Sequence, residues 1–164
     1  ALTLELRGLR EDLLESVYQM LMEASRQYDV SMDFDEFIAH GGKLILFTSW
    51  NDMSISPWQI INQYQKLVKK YGPKKTDGFL KFYCMPSATH CNGIRMDYLE
   101  WLDSWCTEGK YPSETLYGII DKTGGEMPMA SFPGWVKYKN GDPMKGTSYE
   151  VSYEIPEGFF DKFA

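Results

Sequence analysis

Several absences narrow the sequence before any motif is considered. It has no apolar run near the roughly 20 residues that a bilayer-spanning helix needs. It has no basic start followed by an apolar stretch, so no signal peptide is read in it, and a targeting segment upstream of Ala1 stays open. Positive charge is in short supply: 17 basic residues stand against 23 acidic ones, for a formal net charge of −6. The basic residues are scattered except for Lys69, Lys70, Lys74 and Lys75, which argues against nucleic acid as a partner. Cysteine is limited to Cys84, Cys91 and Cys106, an odd number, so at least one is free or pairs outside the chain. No repeat or low-complexity tract occurs. What remains, 164 residues of which 43% are hydrophobic and 15% aromatic, suits one globular domain.

Over 11–28, Leu13, Val17, Met20, Leu21, Ala24 and Tyr28 recur at spacings of three and four, which predicts an amphipathic helix with one buried stripe. Gly41 and Gly42 then punctuate the chain before Leu44-Ile45-Leu46-Phe47, a short continuous apolar run expected of a parallel strand covered on both faces. Pro57 opens a helical pattern carried by Ile60, Ile61, Tyr64, Leu67, Val68 and Tyr71 and closed by Gly72-Pro73. Phe79–Met85 returns to strand character. A further helix follows, with Tyr98, Leu99, Leu102, Trp105 and Cys106 as its expected inner face and an end near Gly109. From Gly118 onward Gly, Pro and Asn break the chain into short pieces, with Trp135–Lys139 and Tyr149–Tyr153 as candidate hairpin strands. The expected organisation is a helix and connector over 1–40, a β-α-β-α unit over 41–110, and an irregular or hairpin-like tail over 111–164. The strand edge at Leu44–Phe47 would be left bare in such a unit, an aggregation hazard that argues for a covering partner.

In open parallel sheets functional residues gather in the loops after the strands, and Asp52 and His90 each follow a predicted strand. Neighbouring parallel strands end about 5 Å apart, so a carboxylate on one loop reaches an imidazole on the next. Taken singly, the bland readings are favoured: an Asp after a strand is usually a turn or cap residue, and a lone His is usually structural. Taken together, in the order Asp then His that ends the triad of α/β-hydrolases, the two readings stand about level.

The surrounding residues are more specific. Gly41-Gly42-Lys43-Leu44-Ile45-Leu46-Phe47-Thr48-Ser49-Trp50-Asn51-Asp52 and Met85-Pro86-Ser87-Ala88-Thr89-His90-Cys91-Asn92-Gly93 resemble the tannase and feruloyl esterase family. That family typically has a Gly-Gly-Lys strand leading to a Gly-Trp-Ala-Asp-like loop, and later a Pro-Gly-x-x-His-Cys-Gly loop. The likeness extends over about residues 33 to 153, through Pro57, Tyr64, Leu102 to Gly109, Phe132-Pro133, Tyr138-Lys139 and Gly141-Asp142-Pro143. It implies the C-terminal portion of an α/β-hydrolase fold, with Asp52 as the triad acid and His90 as the general base. It also implies that Cys91 forms a disulfide to a cysteine before the nucleophilic serine; the alternative is a buried thiol. Cys84 and Cys106 are read as small buried hydrophobes, and His40 as a surface residue.

Departures from the pattern sit beside those residues. Ser49 and Asn51 stand where glycine and alanine are usual around Trp50, and Ser87 where glycine often follows the proline. No Gly-x-Ser-x-Gly or Gly-Cys-Ser occurs, so no nucleophile elbow is present. The resemblance therefore implies a serine-bearing N-terminal chain of the same precursor, disulfide-linked through Cys91, that supplies the nucleophile, the oxyanion donors and a lid with calcium in many members. No cofactor is expected in this chain. Aromatic esters, such as gallates or hydroxycinnamates, are the implied substrates, and secretion or a periplasmic location the implied setting. The rival expectations are a noncatalytic fragment or binding domain related to the family, favoured by the missing serine and the aromatic tail. A Cys91 nucleophile is disfavoured because neighbouring side chains in an extended loop point apart.

Overall fold

The structure, a computed structural model, describes residues 2–28, 31–86, 88–90 and 93–154. It divides into two units, Ala1–Asp33 and Phe34–Ala164. The first unit is one helix, α1 (Leu2–Tyr28). Its periodic stripe is not buried as expected: Leu13, Val17, Met20 and Leu21 are between 40% and 64% exposed, and Ala24 is exposed too. The side chain of Tyr28 lies outside the described residues. Periodicity marks which face of a helix is apolar, and does not say what covers it.

The second unit runs α2 (Asp35–Ala39), β1 (Leu44–Ser49), α3 (Pro57–Tyr71), α4 (Pro73–Phe79), β2 (Leu80–Met85), β3 (Ile94–Arg95), α5 (Tyr98–Glu108), β4 (Thr115–Ile120), β5 (Glu126–Ser131), β6 (Trp135–Tyr138), a 3-10 turn at Gly146–Ser148, and β7 (Tyr149–Ser152). The main sheet has the order β1-β2-β5-β4-β3. β1 and β2 are parallel, paired from Leu44↔Leu80 to Ser49↔Met85, with α3 and α4 as the crossover. The helices and the mixed sheet make this an α/β fold, as the sequence implied.

β2 is covered on both faces, Leu80 to Cys84 all being buried, with Lys81 as the one charged residue among apolar ones. On one face Phe82 stacks on Phe132 at 5.3 Å and meets Tyr64 of α3 at 5.2 Å. On the other Tyr83 packs with Ile94, Leu116, Met127 and Met129 and lies 5.8 Å from Phe47. Filled from both sides, each such side chain contributes roughly 1.5–3 kcal/mol of burial. β1 is less covered, half-buried over its first four residues, and among the described residues no strand pairs with its outer edge.

The tail is more regular than its punctuation suggested. β6 and β7 form the expected antiparallel ribbon, with Val136 opposite Val151. β4 and β5, however, join the main sheet antiparallel, from Thr115↔Ala130 to Ile119↔Glu126, which corrects the expectation of an irregular stretch there. The apparent breakers are strand residues with packing reasons. A Cβ on Gly118 would lie 2.2 Å from Ile94 Cγ2, so β3 closes over a position where only hydrogen fits. Pro128 is fully buried, and β5 pairs with β2 only further along, at Ser131 and Ala130, so the proline's missing N–H falls where the strand is not paired on both sides.

α5 also differs from its expected face. It is capped by the Asp97 side chain, which accepts from the Glu100 N–H, and ends at Gly109 with φ 68. Trp105 is buried and Trp101 packs against the core; Tyr98, half-exposed, meets the Phe47 ring edge-on at 6.3 Å, whereas Leu99 and Cys106 are exposed. The two tryptophans, four apart, define the inner stripe, because the larger rings reach the sheet first.

Candidate active site

Parallel pairing runs in register to the last residues of β1 and β2, Ser49 opposite Met85, so the loops that follow leave the sheet side by side. The first loop carries Asp52 and the second His90. Asp52 bends into a turn held by its own side chain: Oδ1 accepts the N–H of Ser54 at 2.8 Å and of Ile55 at 2.9 Å. Its other oxygen, Oδ2, lies 3.0 Å from His90 Nδ1. The structural and the functional readings of this aspartate thus divide the carboxylate between them, one oxygen shaping the turn and the other meeting the imidazole.

The amide of Ile55, then the His90 ring, and then the amide of Ser54 hold the Asp52 carboxyl below its ordinary pKa against the opposing effect of desolvation. Asp52 is therefore a carboxylate at neutral pH. An ionised carboxylate only accepts, so His90 Nδ1 is the donor in this contact, and in the neutral ring Nε2 is then the lone-pair nitrogen. Exposure complements that arrangement: the Asp52 side chain is 16% exposed and the His90 side chain 43%. A covered acid orients an accessible base, an arrangement suited to taking a proton from an incoming hydroxyl.

Cys91, expected in a disulfide, lies outside the described residues, as do Ser87 and Asn92. Cys84 is buried in β2 as expected, and burial pushes its thiol up to about 12, which makes it inert. Cys106 is exposed on α5, contrary to the expectation of a buried hydrophobe. His40 is at the surface, as expected. Two residues with a part in the site's geometry were read only as departures, Ser49 and Asn51; both side chains bond to the histidine loop. The signal was there: a hydroxyl and an amide in place of residues with no polar side chain.

An open apolar groove of about 480 Å³ borders the same loop, lined by Phe47, Met85, Thr89, Ile94, Met96 and Tyr98 among others. Asp52 and His90 do not line it, so it lies beside the pair and not around it. Among the described residues no group of three or more His, Cys, Asp or Glu side chains is placed to hold a metal ion. No helix among them is long and apolar enough to cross a membrane.

The family model for tannase and feruloyl esterase matches residues 2–152 of the chain. The chain is 31% identical over 129 residues to an uncharacterized esterase of Agrobacterium fabrum, a match covering 73% of this chain and 23% of that protein. It is 26% identical over 121 residues to a mono(2-hydroxyethyl) terephthalate hydrolase of Piscinibacter sakaiensis, covering 66% and 19% respectively. The chain spans about a quarter or less of the length of these curated relatives. Among solved structures, feruloyl esterase B from Aspergillus oryzae superposes with a TM-score of 0.63 at 18% identity, over 74% of this chain and 29% of that one. A tannin acyl hydrolase from Aspergillus niger gives a TM-score of 0.64 at 20% identity, over 80% and 27%. These structures share the fold of the sheet and helices described above.

Proposed function

Since the chain belongs to the tannase and feruloyl esterase family of ester hydrolases, we propose that it carries the acid and the base of a serine carboxylic ester hydrolase acting on aromatic esters. The observation that carries this reading is the 3.0 Å contact between His90 Nδ1 and Asp52 Oδ2, with the second carboxylate oxygen held by two backbone amides. In the first half-reaction the serine hydroxyl attacks the ester carbonyl while His90 Nε2 takes its proton, and Asp52 stabilises the resulting imidazolium. His90 then returns that proton to the departing alcohol. In the second half-reaction water adds to the acyl-enzyme with His90 again as base, and the serine is released protonated.

The serine belongs outside these 164 residues, on a serine-bearing N-terminal chain of the same precursor joined through Cys91. The reading is supported by the absence of a nucleophile elbow from the sequence and by the outer edge of β1, with which no strand among the described residues pairs. The oxyanion donors and a calcium-bearing lid belong to that same part, and a disulfide between the two suits a secreted or periplasmic enzyme. Aromatic acyl groups are favoured because relatives are named for feruloyl and terephthalate esters. The missing serine equally favours a second reading, a noncatalytic relative of the family.

The two readings separate on one pair of measurements. Intact mass with and without reductant should show a second chain released on reduction, and a lone 19.0 kDa species with free thiols would count against the two-chain enzyme. In the assembled enzyme, His90→Ala should abolish hydrolysis of an aromatic methyl ester; activity at the original rate would remove His90 from the chemistry.

A further inference from the structure

Three consecutive residues, Ser49 at the end of β1 and the two that open the aspartate loop, bond to carbonyls at the end of β2 and in the histidine loop. The Trp50 N–H donates to Met85 O at 3.1 Å. The Asn51 side-chain amide donates to Pro86 O at 3.3 Å. The Ser49 hydroxyl donates to Ala88 O, the nearer of two carbonyls, with Met85 O at 3.4 Å. The first bond belongs to the backbone and any residue would make it. The other two exist only because position 49 bears a hydroxyl and position 51 an amide.

We propose that Ser49 and Asn51 are positioning residues that clamp the two loops together and so set the reach between Asp52 and His90. Ser49 is 3% exposed and Ala88 1%, so this bond is anchored in the interior, where an unpaired hydroxyl or carbonyl is costly. The hydroxyl oxygen also accepts the Asn51 N–H at 3.3 Å, which orients the residue that makes the next clamp. From this anchor His90 is two residues away and Asp52 three, and their side chains meet at 3.0 Å. The result is a small ring: Ser49 to Asp52 along one loop, across to His90, back to Ala88, and across to Ser49. Its two cross-links support each other, since holding the base of the ring narrows the range of separations open to its tip. The histidine loop is pinned at its far end as well, where Gly93 O accepts the Asp121 N–H at 3.1 Å. The imidazole is thereby set in place by bonds within this chain.

The catalytic consequence rests on the proposed role of His90, but the clamp itself is testable without any activity. The chain has two histidines, and exposed His40 serves as an internal reference for 15N-edited spectra of the imidazole rings. In the unaltered chain His90 should show a fixed tautomer with the proton on Nδ1. Ser49→Ala and Asn51→Ala should each move it toward the averaged tautomer of His40, the double variant further, while His40 stays constant and Ser49→Thr, which keeps the hydroxyl, restores the original signature. Asn51 is exposed, so Asn51→Ala folds even where Ser49→Ala does not; a His90 ring unchanged in Asn51→Ala overturns the proposal. In the assembled esterase Asn51→Ala should lower kcat about five- to tenfold and leave KM near its original value. A moved tautomer with unchanged hydrolysis upholds the clamp and instead refutes His90 as the base.

Discussion

Two ion pairs lie toward opposite ends of β2, built from similar parts in opposite arrangements. Near its start Lys81, with a side chain only 5% exposed, bonds Glu114 at 2.5 Å and Asp77 at 3.3 Å, whose side chains are 60% and 55% exposed. Its ammonium also sits 4.5 Å from the centre of the Tyr111 ring. Beyond its end, the carboxylate of Asp52 is the covered partner and the imidazole of His90 the open one. Burial by itself would lower the Lys81 pKa, yet its hydrogen bonds to Glu114 and Tyr111 outweigh that and raise it, fixing a permanent charge. At the other pair the fixed charge belongs to the covered acid, and the group left accessible is the imidazole. Which member of a pair is buried thus separates a brace from the pair proposed for chemistry.

The brace holds the tail to the sheet. Glu114, just ahead of β4, bonds Lys81 of β2 and also accepts from the hydroxyl of Ser131 at the end of β5. That one carboxylate therefore links three strands at the end of β2 remote from Asp52 and His90, an arrangement in keeping with parallel strands that place chemistry at their C-terminal ends.

The largest effects expected are on rate and at the open pair. In the assembled esterase Asp52→Asn should lower kcat/KM by about ten-thousandfold, through loss of the correct tautomer and of imidazolium stabilisation, with the urea midpoint almost unchanged. Lys81→Ala should do the reverse, costing about 2 kcal/mol of stability in urea unfolding while activity per folded molecule persists. Its carboxylate partners are exposed and regain water, which keeps the loss below that of a fully buried pair. Lys81→Met, which keeps the buried apolar stem, should cost less. If Lys81→Ala removed activity without unfolding, the distinction between the brace and the pair proposed for chemistry would collapse.

A smaller effect is expected in the pH dependence of stability. Glu114 is held below its ordinary value: burial opposes ionisation, but the bonds from Lys81 and Ser131 outweigh it. A depressed carboxyl stabilises the fold above its unfolded value, about 4.3, and that contribution disappears as pH falls through the folded value. Lys81, being raised, contributes below its unfolded value, about 10.4, and loses that contribution as pH rises through the folded one. The brace should therefore give a plateau from about pH 5 to 10, with less than about 1 kcal/mol lost on the acid side because Glu114 is mostly exposed. Glu114→Gln should flatten the acid limb. Smallest of all, alkylation of the native chain should modify Cys106 and spare Cys84 until the protein unfolds, checked by peptide mass; labelling of native Cys84 would show that β2 opens.

Much of this was legible in the chain. The apolar run at Leu44–Phe47, the helical spacing after Pro57 and the aromatic run to Met85 define a strand, crossover helix and strand by local chemistry alone. With the two strands adjacent and parallel, the meeting of the Asp52 and His90 loops follows from the sheet's spacing. The rest depended on contacts between residues far apart. Gly118 and Pro128 read as turn residues, and nothing nearby in sequence announces that Ile94 closes over one and that only one side of the strand is paired at the other. The stripe on α1 and the face of α5 were legible as apolar, but coverage belongs to whatever packs there, and on α5 Trp101 and Trp105 turn inward while Leu99 stays exposed.

The sequence by itself determined the paired glycines, the two strands, the crossover, and the positions of one acid and one histidine just past the strand ends, because these follow from short-range periodicity and residue chemistry. Only the tertiary structure decided that one oxygen of Asp52 shapes a turn while the other meets His90, that Ser49 and Asn51 reach the opposite loop, and that the tail contributes two strands to the main sheet. Those outcomes depend on which distant groups are brought within about 3 Å, a distance that sequence separation does not encode.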